Sequence, residues 1–260
     1  MSAGRIEARA DGPVGWVVFD NQKRRNAMSL GMWRGLTEAL QRFGADPQVR
    51  VVVLRGAGET AFVSGADISE FDAHRSDAAA AAEYAKATDG AWKALGAFDK
   101  PMIAMIQGFC FGGGVAIAMK ADLRIAADNS LYAIPAARLG IAYPPHSVRD
   151  LVSLVGPAKA KEILFTGARF DSAAAQAIGL VNRVVPVIHL EAEVAALCAT
   201  IAENAPLTIR AAKETIDQIA RDAPDAKRVA ERVAACFDSA DYAEGRRAFM
   251  EKRRPVFSGR

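Results

Sequence analysis

Two glycine-containing segments carry the chemistry that the residue types suggest: Ser64-Gly65-Ala66-Asp67-Ile68 and Gly108-Phe109-Cys110-Phe111-Gly112-Gly113-Gly114. Each follows an apolar, strand-like run. Small residues let a backbone approach a bound group closely. Two backbone N–H groups aimed at one carbonyl oxygen stabilise an enolate or a tetrahedral oxyanion. Gly113 also opens an expected helix, whose N-terminus adds partial positive charge at the same spot. The same three glycines are compatible with a tight turn packed on a neighbouring helix. The G-x-G-x-x-G spacing of a dinucleotide site is absent.

These segments need elements to position them. Arg5 to Ala10 and Val14 to Asp20 flank Asp11-Gly12 and read as a hairpin. Ser29 is placed to cap a helix in which Met32, Leu36, Ala39, Leu40 and Phe43 keep helical spacing. Val51 to Leu54 reads as a buried strand ending at Gly56, and Ser76 to Phe98 as an alanine-rich helix. Pro101 to Ile106, Leu123 to Ala127 and Leu131 to Ile134 read as strands, and Gly112 to Met119 as a buried helix. Alternating short strands and helices predict an α/β domain with parallel pairing.

After Pro157 the pattern predicts helices only, near 157–166, 172–178, 190–204, 206–220, 225–238 and 241–252. Pro157 and Pro206 suit first helical turns, and Ser172 and Asp225 suit N-caps. The division expected is a core over 1–204 and a C-terminal helical module over 205–260.

Composition narrows the function classes. The chain has 260 residues, 51% of them hydrophobic, enough for a large core. A net charge of +3 gives no footprint for nucleic acid. Cys110, Cys198 and Cys236 are odd in number and widely spaced, which argues against a disulfide framework or a zinc site. A reducing cytoplasm is the expected setting. Met1-Ser2-Ala3-Gly4-Arg5 opens no signal peptide, and no apolar run reaches membrane-spanning length.

The order and spacing of the glycine segments resemble the crotonase (enoyl-CoA hydratase/isomerase) superfamily. Lys23-Arg24-Arg25-Asn26-Ala27-Met28 resembles its first CoA-binding loop, and Ala61 to Ile68 its first oxyanion segment. Lys100-Pro101 through Gly114 resembles the strand and turn carrying the second oxyanion donor, and Pro135 to Ile141 the following active-site loop. Leu164-Phe165-Thr166-Gly167, then Gly179 to Val185, and Glu244 through Phe257 extend the match over nearly the whole chain.

The resemblance implies a spiral of ββα units with a C-terminal helical trimerisation region, and a homotrimer or dimer of trimers. It implies an acyl-CoA substrate and no cofactor beyond the coenzyme A of that substrate. Ala66 and Gly113 map to the paired oxyanion donors. Lys23, Arg24 and Arg25, with Ser64, Asp67 and Ile68, map to CoA-binding positions, though a basic loop run is equally compatible with a solvated surface. Phe249 and Lys252 map to positions that reach the CoA of a neighbouring subunit, or else simply end an amphipathic helix.

Two positions depart from the family pattern. Where hydratases of the family carry two glutamates, this chain has Ala116 and Ala136. Alanine transfers no proton, and each general acid–base group typically contributes about 100- to 10,000-fold. Efficient hydration is therefore not expected. The segment Arg138 to Asp150 offers Tyr143 and His146 as candidate catalytic groups, and Arg138 or Arg149 as receivers of an anion. Tyr143 aligns with a tyrosine of methylmalonyl-CoA decarboxylase-like relatives. Arg149 and Asp150 suit a surface pair, Asp122 a cap or pair within the fold, and Cys110 a buried position. The expected activity is enolate stabilisation on an acyl-CoA. Carboxyacyl-CoA decarboxylation, thioester hydrolysis or retro-Claisen cleavage, and non-catalytic acyl-CoA binding remain open.

Overall fold

The computed structural model describes residues 4–67, 78–220 and 224–260. Strands β1 (Arg5–Asp11) and β2 (Val14–Asp20) form the expected antiparallel hairpin. Helix α1 (Leu30–Ala45) follows, with the Ser29 side chain accepting from the Met32 N–H. Its apolar stripe, Met32, Leu36, Ala39, Leu40 and Phe43, is buried as the spacing requires.

Next come β3 (Val51–Gly56), β4 (Ala61–Val63) and α2 (Ala78–Ala97). Then β5 (Met102–Ile106) and β6 (Phe109–Phe111) lead into α3 (Gly113–Lys120). After them β7 (Leu123–Ala127) and β8 (Leu131–Ala133) lead through a 3-10 turn, Pro135–Leu139, into α4 (Pro145–Thr166).

Two sheets result. The first has the order β1-β2-β3-β5-β7-β10, where β10 is Arg183–Val185; the second is β4-β6-β8-β9, where β9 is Phe170–Asp171. β3, β5 and β7 advance along one sheet while β4, β6 and β8 advance in step along the other. Each pair is thus one ββ turn of a spiral, and a helix carries the chain to the next turn.

The apolar runs of β3 and β5 follow from burial on both faces. Val52, Leu54, Met102 and Ala104 face the main core, whereas Val51, Val53, Ile103 and Met105 pack with Leu190, Val194 and Cys198. The latter three belong to α6 (Leu190–Glu203). α5 (Ser172–Ala177) precedes it, and α7 (Pro206–Ile219), α8 (Ala226–Phe237) and α9 (Ala240–Glu251) complete the chain. Lys213 Nζ ties α7 to the sheet end through the Lys100 carbonyl and Asp122 Oδ2, each at 2.9 Å. Among the described residues no helix is long and apolar enough to cross a membrane.

The helix expected from Pro157 is present as the part of α4 after a break at Gly156 (φ 75°, ψ 163°), and an unexpected helical stretch from Pro145 precedes it. Three local expectations are corrected. Strands β9 and β10 interrupt the expected all-helical half, because each pairs with an earlier strand. Asp171, not Ser172, caps α5 by accepting from the Ala174 N–H, while the Ser172 hydroxyl donates to the Asp128 carbonyl. Asp150 pairs with Lys120 at 2.7 Å rather than with its neighbour Arg149. The helix expected from Ser76 begins partly outside the described residues.

Candidate active site

The first half of the site is a strap of chain, residues 21–28, laid along β4 and the segment after it. Asn26 is buried in a left-handed conformation (φ 56°). Its Nδ2 donates to the carbonyls of Ala57 and Ala61, and its Oδ1 accepts from the Asn21 N–H. These bonds meet polar needs that burial would otherwise leave open. Downstream, the Met28 N–H donates to the Gly65 carbonyl at 2.8 Å, and the Asp67 N–H to the Met28 carbonyl at 2.9 Å.

This is a one-residue parallel bridge between Met28 and Ala66. It engages the peptide groups on either side of Ala66, so Ala66 presents its own N–H on the face away from the strap. Ser64 is held by its N–H on the Arg25 carbonyl and its hydroxyl on the Arg24 carbonyl. Arg24 reaches Asp67 Oδ1 at 3.0 Å, and Asp67 is nearly buried. Lys23 is exposed, and the Arg25 guanidinium lies 4.5 Å over the Phe109 ring. Ile68 lies outside the described residues.

The second half is the start of α3. Gly112 takes φ 50° and ψ −111°, a conformation open to glycine. Its N–H donates to the Ala133 carbonyl at 2.8 Å. A side chain on Gly114 would stand 1.9 Å from the Val63 carbonyl oxygen, so glycine there lets α3 press onto β4. Gly113 is the first helical residue, and its N–H has no acceptor within the helix. A methyl built on Gly113 would lie 3.7 Å from the Ala66 nitrogen; one built on Gly65 would lie 3.8 Å from the Gly113 nitrogen. The two segments, far apart in sequence, therefore bring their backbone nitrogens to one place. Two donors so arranged, one of them at a helix N-terminus, can stabilise negative charge developing on a single oxygen.

Among the described residues, the two positions that face the question of proton transfer carry no acid or base. Ala116 on α3 and Ala136 in the 3-10 turn are both buried. Tyr143 donates its hydroxyl to the Gly112 carbonyl at 3.0 Å. Burial, and next Cys110 and Asp150, push its phenol well above the usual range, so it stays protonated. Cys110 is fully buried and its thiol is likewise raised by burial. His146, in the first turn of α4, packs 5.1 Å from the Trp92 ring, and Trp92 packs 5.4 Å from Trp33. Partial burial and then Lys120 lower the His146 pKa, against Asp150 and Asp89. Arg138 donates to the Thr166 carbonyl.

Contacts thus link Ala66, Gly113, Asp67, Ser64, Arg24 and Tyr143 into one cluster. Phe249 and Lys252 lie apart, on and just after the last helix. Lys120 was not foreseen, although it stands one helical turn after Ala116 and so on its face of α3. Nor was Gly112 foreseen as an acceptor, since that role depends on a residue 31 positions away.

Residues 9–260 match the family model described as Enoyl-CoA hydratase/isomerase. The chain is 31% identical over 256 residues to the short-chain-enoyl-CoA hydratase of Clostridium acetobutylicum, covering 98% of this chain and 97% of that one. It is 34% identical over 262 residues to the carnitinyl-CoA dehydratase of Salmonella typhi, covering 96% and 97%. Among solved structures, an enoyl-CoA hydratase/carnithine racemase from Magnetospirillum magneticum superposes with a TM-score of 0.93 at 37% identity, covering 100% of this chain and 97% of that one.

Proposed function

Because the chain belongs to the enoyl-CoA hydratase/isomerase family, we propose that it acts on an acyl-CoA thioester by stabilising the enolate form of the acyl group. The observation that carries this reading is the convergence of the Ala66 and Gly113 nitrogens. A thioester α-carbanion places its charge on the carbonyl oxygen, and each fixed donor there is worth about 3–4 kcal/mol. Relatives named as a hydratase and a dehydratase support the acyl-CoA substrate class. Lys23, Arg24 and Arg25, on the strap beside Ala66, would meet the phosphates of CoA. Phe249 and Lys252 would reach the CoA of a neighbouring copy in a trimer or dimer of trimers.

Hydration is a weak activity in this reading, because Ala116 and Ala136 hold no proton. One observation favours carboxyacyl-CoA decarboxylation as the second reading. No carboxylate stands at either buried alanine, and the nearby Asp150 is neutralised by Lys120. A carboxylated acyl group would then meet no like charge at those positions.

The test has two steps. Acetyl-CoA or crotonyl-CoA at a hundredfold excess over its dissociation constant should stabilise the protein by about 2.7 kcal/mol in thermal melts. Turnover should then be measured as CO2 release from short carboxyacyl-CoA, thiol release, and hydration of crotonyl-CoA. Gly113→Ala has room for its methyl without a backbone clash, yet crowds the gap between the two donors. It should keep the melt and lose turnover, towards the roughly 100- to 1,000-fold that one such donor contributes. No melt shift with any acyl-CoA, or full turnover in Gly113→Ala, would sink the reading.

A further inference from the structure

The Tyr143 hydroxyl has one proton to donate, and the structure assigns it to a backbone carbonyl. That carbonyl, of Gly112, also accepts from the Ala116 N–H at 3.2 Å, so both its lone pairs are in use. The carbonyl of Gly112 and the N–H of Gly113 are two ends of one planar amide. Hydrogen bonding at the oxygen draws electron density through the amide and makes the N–H a stronger donor. It also fixes the plane of that amide, which hangs from a glycine able to rotate into other conformations.

We propose that Tyr143 is a positioning residue: its hydroxyl holds and polarises the Gly112–Gly113 peptide so that the Gly113 N–H points at the substrate oxygen. The inference rests on the oxyanion reading above and adds a role for a side chain that need not touch substrate. The tyrosine suits this task. Its ring packs against the main core, which immobilises it. Its phenol, raised by burial, remains a donor across the neutral range. Handing that proton to a substrate would cost the Gly112 contact.

Acetoacetyl-CoA is the probe, because its enolate absorbs in the near ultraviolet. The wild-type protein should lower the apparent pKa of the bound probe, read by titrating that absorbance. One whole donor is worth about 100- to 1,000-fold. A hydrogen bond strengthened by roughly 10–30% is then worth about 2- to 8-fold. Tyr143→Phe should reduce the enolate fraction at fixed pH by that factor, with an equal shift of the titration. Affinity for an S-alkyl CoA thioether, which lacks the carbonyl, should not change.

If Tyr143→Phe loses its fold, 3-fluorotyrosine at position 143 alone supplies a stronger donor of nearly the same size. It should move the titration in the opposite direction. An unchanged enolate fraction in Tyr143→Phe, or a fluorotyrosine shift in the phenylalanine direction, overturns the inference and leaves the oxyanion reading standing. A defect seen with carboxyacyl-CoA but not with acetoacetyl-CoA also overturns it, in favour of direct contact with substrate. If the wild-type protein forms no enolate at all, the oxyanion reading falls and takes this inference with it.

Discussion

An alanine removes three things that a glutamate would bring: a proton carrier, a negative charge and length. At 116 the loss lies one helical turn after Gly112, and at 136 on the turn that follows β8. Both positions are buried, so bulk water is a poor substitute for the missing carboxylates. The double variant Ala116→Glu, Ala136→Glu should raise crotonyl-CoA hydration by at least about 100-fold, the lower bound for one acid–base group. Overpacking will lower stability by about 1–3 kcal/mol per site, so melts must accompany the rates. Brisk hydration by the unmodified protein would refute this view of the alanines. It would move the burden of activating water to Tyr143, His146 or Asp150.

Among the elements, the last helix and the chain that follows it are laced together by two carboxylates. Glu244 takes a forked contact from Arg253 and also accepts from the Val256 N–H. Arg253 above all, and then Val256, hold its carboxyl at about 2. Asp241, buried in the first turn of α9, accepts from the Ser258 and Gly259 N–H groups at 2.7 and 2.9 Å. A helix N-terminus favours that negative charge. Asp241→Ala should therefore cost about 1.5–3 kcal/mol, the range for hydrogen bonds to a charged group. It should also speed amide exchange at 258–259. A variant with wild-type stability and exchange would show that the tail is held by other means, such as Arg50 on the Phe257 carbonyl.

For the whole molecule, the telling surface is an apolar groove of about 1140 Å³ among α7, α8 and α9. Ile216, Phe237, Phe249 and Met250 line it, and Phe249 and Met250 are 83% and 80% exposed. Contiguous apolar surface of this kind marks an interaction site. The proposed trimer or dimer of trimers would cover it. Light scattering at micromolar concentration should give a mass of three or six chains, and Phe249→Glu with Met250→Glu should release monomers. If Phe249 and Lys252 serve a neighbour's CoA, those monomers will also bind acyl-CoA more weakly. A monomeric wild-type protein would count against both the assembly and the shared site.

Local periodicity and family pattern together determined a large part of this protein. Helix α1 with its Ser29 cap, the strands β3, β5 and β7, and the two glycine segments were legible because each follows from residues close in sequence. The family followed from the order of motifs along the chain. Tertiary structure alone decided the rest. The three-residue strands β4 and β6 exist because a neighbouring strand pairs with them, not through propensity. The first half of α4 opens on Pro145 directly after Pro144, and its position is set by Tyr143 on Gly112 and Asp150 on Lys120. The Ala66 and Gly113 nitrogens converge because β4 and β6 are adjacent in the second sheet, with Gly114 allowing α3 to close onto Val63. Contacts between residues tens of positions apart depend on how the spiral stacks its turns, and spacing along the chain does not encode that distance.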